Sequence, residues 1–123
     1  MVGKMNVRPT IGVSDLEKAT GFYGGVLGLR VVSENPYEVT YKSGDSMLGI
    51  YMTDYAGTNQ ATYATWEVDD IEREVADLRD KGVQFEHYED MEGVVLAGDI
   101  HVIASEKAAW FKDPDGNILC LHQ

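Results

Sequence analysis

The segment TIGVSDLE at residues 10–17 returns 55 residues later as TWEVDDIE at residues 65–72. The two segments share Thr, Val, Asp and Glu at equivalent positions. Internal similarity at a fixed offset indicates two copies of one supersecondary unit. The chain therefore predicts two related modules within a single domain of residues 1–123, one over about 5–56 and the other over about 61–123.

Each copy has the pattern of a strand followed by a helix. Alternating apolar residues, typical of a half-buried strand, give way to apolar residues spaced three and four apart, which indicate a helix. A capping-box spacing opens each helix and a glycine closes it: Ser14 with Glu17 and Gly28, then Asp69 with Glu72 and Gly82.

Three strand-like segments follow each helix, so each module is predicted to be βαβββ and the fold class to be α+β. The segment 90–106 is longer than most connections in compact domains, and Val102 and Ile103 inside it are candidates for an additional strand. The other predicted strands lie at 29–33, 37–42 and 47–53 in the first module and at 83–88, 108–112 and 117–122 in the second.

Composition excludes several classes of function. The chain has 123 residues and a formal charge of −11, and a surface this acidic repels nucleic-acid phosphates and anionic lipids. Its single cysteine, Cys120, cannot form an intrachain disulfide. No window has the apolar length of a signal peptide or a membrane span. The sequence therefore predicts a soluble, cytoplasmic protein with no nucleic-acid or membrane partner.

Four segments together resemble the vicinal oxygen chelate superfamily, which includes glyoxalase I, extradiol dioxygenases, fosfomycin-resistance transferases and bleomycin-resistance proteins. The resemblance implies two βαβββ modules whose mixed sheet curls into a cup around a pocket, and commonly a homodimer. The segments are VSDLEK at 13–18, GFY at 21–23, VLGL at 26–29 and WFKDPDGNI at 110–118.

The enzymes of this superfamily hold a divalent metal in the cup, and the resemblance places three ligand positions at Arg8, Tyr63 and Cys120. A fourth ligand in some members comes from strand 47–53, which contains no His, Glu or Gln. Arginine stays protonated and cannot ligate a cation, and a lone thiolate beside it makes a poor site for hard or borderline metals. The expectation is a site with no metal and no cofactor.

The same positions predict a binding pocket. Because side chains alternate along a strand, Arg8, Tyr63, Trp110 and Tyr51 are expected to share the cup face. Aromatic walls with one cation suit a planar or amphiphilic molecule that has an anionic or carbonyl end. An alternative is that Arg8 pairs with Glu67 or another acid and that the aromatic residues are ordinary core.

Three further residues complete the candidate ligand-binding set. His122 shares a strand face with Cys120, a weak sign of catalysis, and Cys120 also fits the role of a small buried apolar residue. His101, in the long segment, is predicted either to cover the pocket as a lid or to be a surface histidine. The acidic run at 88–92 is expected to be a solvated loop.

Three functions remain open at this point. The leading hypothesis is metal-independent binding of a small organic ligand, for sequestration or sensing, as in bleomycin-resistance proteins. The second is an enzyme of the lyase, isomerase or dioxygenase type with a non-standard site. The third is a dimerisation or regulatory module that binds no ligand.

Overall fold

The computed structural model describes all 123 residues and divides them into two compact units, Met1–Gly57 and Thr58–Gln123. Each unit contains one mixed β-sheet and one α-helix. The predicted α+β class with two βαβββ modules is confirmed. Neither helix is long and apolar enough to cross a membrane.

The first unit forms a four-stranded sheet in the order β1-β4-β3-β2. The outer strand β1 runs parallel to β4, and the other neighbours are antiparallel. The alternating apolar pattern that predicts the first strand begins at Val7, but β1 itself begins at Thr10, after Arg8 and Pro9. The elements are β1 Thr10–Val13, α1 Leu16–Thr20, β2 Arg30–Asn35, β3 Glu38–Ser43 and β4 Ser46–Met52.

One face of this sheet is apolar and buried, with Ile11, Ile50 and Tyr41 each at most 1% exposed. Tyr23 lies in the helical segment after α1, and its ring centroid is 6.4 Å from that of Tyr41. Alternation along the strands leaves the opposite face polar and aromatic. The core of the first unit therefore fixes which side chains of its sheet can meet a ligand.

The first helix begins one residue later than its capping-box pattern predicts. Asp15, rather than Ser14, is the N-cap, and its carboxylate accepts hydrogen bonds from the backbone of Glu17 and Lys18. The helix continues as a π-helix over Gly21–Val26, and Gly28 follows with a φ of +75°. The expected glycine stop is confirmed, because glycine adopts this left-handed conformation without strain.

The second unit forms a six-stranded sheet in the order β5-β10-β9-β8-β7, with β6 paired to β9. The N-cap of its helix is Asp70, again one residue after the predicted Asp69. The predicted helical stripe of Ile71, Val75 and Leu78 is buried. The elements are β5 Thr62–Glu67, α2 Ile71–Asp80, β6 Phe85–Glu86, β7 Val94–Ala97, β8 Ile100–Ile103, β9 Glu106–Lys112 and β10 Ile118–His122.

The prediction of a full strand over 83–88 is wrong, since only Phe85 and Glu86 pair with β9. Strand β9 is long enough for its edge to be shared: its first residues pair with β8, and Trp110 and Phe111 pair with β6. The order β5-β10-β9-β8 thus repeats the order β1-β4-β3-β2 of the first unit. The long segment 90–106 supplies the β7–β8 hairpin.

A turn between β9 and β10 is held by one buried carboxylate. Asp113 accepts hydrogen bonds from the backbone N–H groups of Asp115 and Asn117 and from the Asn117 side-chain amide. Gly116 has a φ of +88°. The Asp-Pro-Asp-Gly stretch therefore forms a tight reversal, and the Asp113 carboxylate serves the fold.

Candidate functional site

Arg8 lies on the polar face of the first sheet, where its guanidinium is already paired. Its Nη2 is 2.9 Å from Oε1 of Glu38, and its Nη1 donates a hydrogen bond to Oγ1 of Thr40 at 3.2 Å. About half of the Arg8 side chain is exposed. The alternative that Arg8 pairs with Glu67 or another acid is confirmed in its second form, because the partner is Glu38 on β3 and Glu67 is paired with His122.

The Arg8–Glu38 ion pair lies over a glycine of β4. A Cβ atom at Gly49 would come within 3.2 Å of Oε1 of Glu38 and 3.4 Å of Nε of Arg8. Such distances are tighter than ordinary van der Waals contacts, so a side chain here would displace the pair. Gly49 thus provides the bare backbone on which the two charges rest.

Two hollows flank this ion pair. Glu38 lines one of about 410 Å³, together with Tyr37 and Tyr51, and Arg8 lines another of about 520 Å³, together with Thr40 and Met47. Tyr51 is 40% exposed, and Tyr37 is more exposed still. The face therefore presents aromatic and thioether groups around one pair of opposite charges, the mixture typical of small-molecule sites.

A second aromatic cluster lies on the sheet of the second unit. The indole of Trp110 donates a hydrogen bond from Nε1 to Oγ1 of Thr62, and its ring meets His101 and Tyr88 edge to face at 4.8 and 5.4 Å. The predictions for His101 as a lid or surface residue are wrong: it lies on β8 with no exposed surface. It is buried in the sheet because β8 pairs with the first residues of β9, next to the short strand β6.

Tyr63 is placed at an irregularity that alternation does not predict. The pairing of β5 with β10 slips between Ile118 and Leu119, so that Thr62 is opposite Ile118 and Ala64 is opposite Leu119. It is consequently the hydroxyl of Thr62 that contacts Trp110. Tyr63 itself is half-buried.

Cys120 lies on β10 directly opposite Trp110, and its side chain is buried. Burial raises the pKa of its thiol to about 11, and Sγ donates to the backbone oxygen of Leu121. A thiol with this pKa stays protonated near neutral pH and is a poor nucleophile. Its surroundings match the alternative of a small buried apolar residue.

His122 is enclosed by two carboxylates. Its Nδ1 is 2.6 Å from Oε2 of Glu67, and its Nε2 is 3.4 Å from Oε1 of Glu106. The hydrogen bond with Glu67 is the main reason that the pKa of His122 is raised. Since both ring nitrogens face carboxylates, His122 is not available as a base for Cys120.

The raised pKa of His122 predicts a pH-dependent contribution to stability. The contribution is complete below the ordinary histidine pKa and disappears as the pH rises through the higher value of the folded state. The melting temperature of the wild type should exceed that of His122→Gln by more at pH 6 than at pH 9. An equal difference at both pH values would show that the charge pair contributes nothing.

The donor atoms of the chain do not fit the divalent metal implied by the resemblance. At its three ligand positions stand an ion-paired guanidinium, a half-buried tyrosine and a thiol with a pKa of about 11. Within neither unit do three or more His, Cys, Asp or Glu side chains gather into a group able to hold an ion. No catalytic step through a metal follows from this arrangement.

Two residues of these clusters were missed by sequence reasoning. Glu38 is not among the predicted site residues because its partner Arg8 is 30 residues away in the chain, although alternation along β3 places Glu38 and Thr40 on the same face. Tyr88 was assigned to a solvated loop by its acidic neighbours, yet its ring packs on Trp110 and His101. The acidic residues next to Tyr88 indicated an exposed loop and gave no sign of its aromatic contacts.

Comparison with known proteins agrees with the architecture. Residues 7–121 match the family model described as Glyoxalase/Bleomycin resistance protein/Dioxygenase superfamily. No match to the sequence exists among curated proteins.

Solved structures share the fold at low sequence identity. A glyoxalase family protein from Enterococcus faecalis is 23% identical, with a TM-score of 0.76 and complete coverage of both chains. A lactoylglutathione lyase from Agrobacterium tumefaciens is 19% identical (TM-score 0.71), covering 96% of this chain and 92% of the other. The antibiotic binding protein TnmS3 from Streptomyces sp. CB03234 is 20% identical (TM-score 0.66), covering 97% and 96%.

Proposed function

The chain belongs to the glyoxalase/bleomycin resistance protein/dioxygenase superfamily, and from this premise we propose that it binds a small organic ligand without a metal. The binding face is that of the first sheet around Arg8. Its role would be to sequester or to sense the ligand. The observation that carries the proposal is the Arg8–Glu38 ion pair, which lies on bare backbone between two hollows and stands where the resemblance places a metal ligand.

The chemistry of the face refines the class of ligand. Glu38 already neutralises Arg8, so a ligand carboxylate would meet a like charge as well as a cation. A neutral carbonyl avoids this repulsion and still accepts a hydrogen bond from the guanidinium. Tyr51 and Tyr37 supply exposed rings for stacking on a planar apolar body. The proposed ligand is therefore a neutral, planar aromatic carbonyl compound.

The comparisons support this proposal at the level of the fold. A protein of the same architecture is described as an antibiotic binding protein, which shows that the fold is compatible with ligand binding. A further protein of this architecture is described as a lyase. The proposal for this chain rests on its own donor set, in which the three positions of the implied metal site lack a usable ligand.

Thermal-shift titration with a panel of neutral aromatic ketones and quinones tests the proposal. A true ligand should raise the melting temperature progressively with its concentration, by an amount that grows logarithmically above the Kd. The Arg8→Met variant, which keeps the length of the side chain but not its donors, should weaken the binding of such a ligand about ten-fold or more, since hydrogen bonds to charged groups contribute roughly 1.5 kcal/mol or more.

Arg73→Met is the matched control, since Arg73 lies on the exposed side of α2 and only its backbone caps the helix. This variant should bind as the wild type does. If Arg8→Met bound the ligand as tightly as the wild type, Arg8 would not be part of the binding site. One divalent ion per chain, retained through purification and required for binding, would overturn the metal-free mechanism.

A further inference from the structure

We propose that residues 87–93 form a lid over the Trp110 face of the second sheet, and that His101 is an acid-sensitive latch that holds this lid closed. The inference concerns the second unit alone and does not depend on ligand binding at Arg8. It rests on the hydrogen bond between the Tyr88 amide and His101, whose direction shows which ring nitrogen of His101 carries the proton. It also rests on the Tyr88 ring, which this bond holds in place.

The latch is a bond from the lid backbone to the buried histidine. The N–H of Tyr88 donates to Nε2 of His101 at 2.9 Å. Because a backbone N–H can only donate, Nε2 must be the unprotonated nitrogen, and the neutral ring carries its proton on Nδ1. A second proton on the ring would have to go to Nε2, where it would replace the acceptor by a donor and break the bond.

The ring of Tyr88 is the cover that the latch positions. Its centroid lies 5.4 Å from that of Trp110, edge to face, and 5.8 Å from that of His101. The remainder of the lid forms no helix or strand, and its residues 89–93 are exposed. Release of the Tyr88 amide would therefore leave this ring with few other contacts and would uncover the Trp110 indole.

The buried ring of His101 is in surroundings that disfavour its positively charged form. His101 has no exposed surface, and its Nδ1 completes no hydrogen bond of ordinary geometry. Burial lowers the pKa of His101, and the Ala108 backbone offsets this only in part. Protonation thus favours states in which the ring reaches water, and the lid is the least anchored element packed against it.

The charged and titratable groups around the latch come from five segments of the chain. Asp99, in the β7–β8 turn, pairs with His87 of the lid at 2.7 Å and with Arg79 of α2 at 2.6 Å. The charge of His87 lowers the pKa of His101 further. Burial raises the pKa of the Tyr88 hydroxyl, and Glu86 on β6 and Cys120 on β10 raise it further.

The contact between His87 and Asp99 holds one end of the lid in place. The pKa of the Asp99 carboxyl is lowered, chiefly by its hydrogen bond with His87, so Asp99 remains negative in mild acid. His87 keeps its contact with the Asp99 carboxylate under the conditions that break the bond at Tyr88. The lid should therefore open beyond His87 while staying tethered at that residue.

Hydrogen exchange measured residue by residue from pH 7.5 to pH 5 tests the latch. Below the ordinary histidine pKa, the protection factor of the Tyr88 amide, relative to its intrinsic rate, should fall by about ten-fold per pH unit, because one proton is taken up on opening. In a Trp66→Phe background the emission of Trp110 should shift to longer wavelength over the same range, with the far-UV circular dichroism unchanged.

His101→Gln is the decisive variant, because an amide oxygen accepts from the Tyr88 N–H and does not titrate. Its lid should stay closed across the whole pH range. An acid transition identical to that of the wild type would assign the effect to another group and overturn the proposal. Protection of Tyr88 that is lost only when the whole chain unfolds would overturn it equally, since no separate lid would then exist.

Discussion

Replacement of Asp113 by alanine should destabilise the protein by roughly 3 kcal/mol, because the loss of charge-assisted hydrogen bonds leaves their buried donors unpaired. Its carboxylate is 5% exposed and accepts from the Asp115 and Asn117 backbones at 3.0 and 2.8 Å, and from the Asn117 side chain at 2.8 Å. Asn117 has no exposed surface from which to recruit water. Urea unfolding at pH 7 measures the loss.

Two companion variants define what the Asp113 result means. Asp113→Asn keeps the size of the side chain but turns one oxygen into a donor that faces the Asn117 amide, so an intermediate loss is expected. Asp90→Ala removes one negative charge at an exposed position in the same unit and should change the stability by less than about 0.5 kcal/mol. If Asp113→Ala matched Asp90→Ala, the turn would not depend on this carboxylate.

Gly12→Ala should cost about 2 kcal/mol of stability through a steric clash on β1. A Cβ at this position would lie 2.5 Å from Cγ2 of Thr53, well inside contact distance. Thr53 is β-branched and has little freedom to rotate away. Gly12 is also the register partner of Tyr51, so the same clash should disturb the aromatic part of the binding face.

A second substitution separates this clash from a general effect of the alanine. Thr53→Ser removes the methyl group but keeps the hydroxyl that accepts from the Tyr55 backbone. The Gly12→Ala, Thr53→Ser double variant should therefore regain most of the stability lost by Gly12→Ala alone. Gly21→Ala, where a Cβ meets nothing within 4 Å, should not be destabilising. Additive losses in the double variant would contradict the steric explanation.

The architecture was predictable from sequence because it depends on patterns among residues that are close together in the chain. The repeat at 10–17 and 65–72 sets two modules, and helical periodicity identifies the buried side of α2 correctly. The errors at the caps are single-residue shifts, since Ser14-Asp15 and Asp69-Asp70 each offer two capping side chains in a row. Both residues of each pair have a side chain able to cap, so the spacing alone does not choose between them.

The candidate site was less predictable because its contacts cross between strands. Arg8 lies on the polar sheet face, but its partner Glu38 is 30 residues away and is brought close because β4 pairs with both β1 and β3. His101 required knowledge that β8, and not segment 83–88, pairs with the start of β9. Strand register of this kind depends on competition between segments along the whole unit, and no short window reveals it.

The matching strand orders of the two units carry a consequence for protein engineering. Without β6, the lid and β7, the second unit would retain β5-β10-β9-β8, the order that the first unit uses without any such addition. Residues 84–97 are in this sense a cassette placed on the edge of a duplicated core. Exchange of this cassette between members of the superfamily, together with a histidine at the position of His101 on β8, should transfer the acid response of the lid and leave the rest of the fold in place.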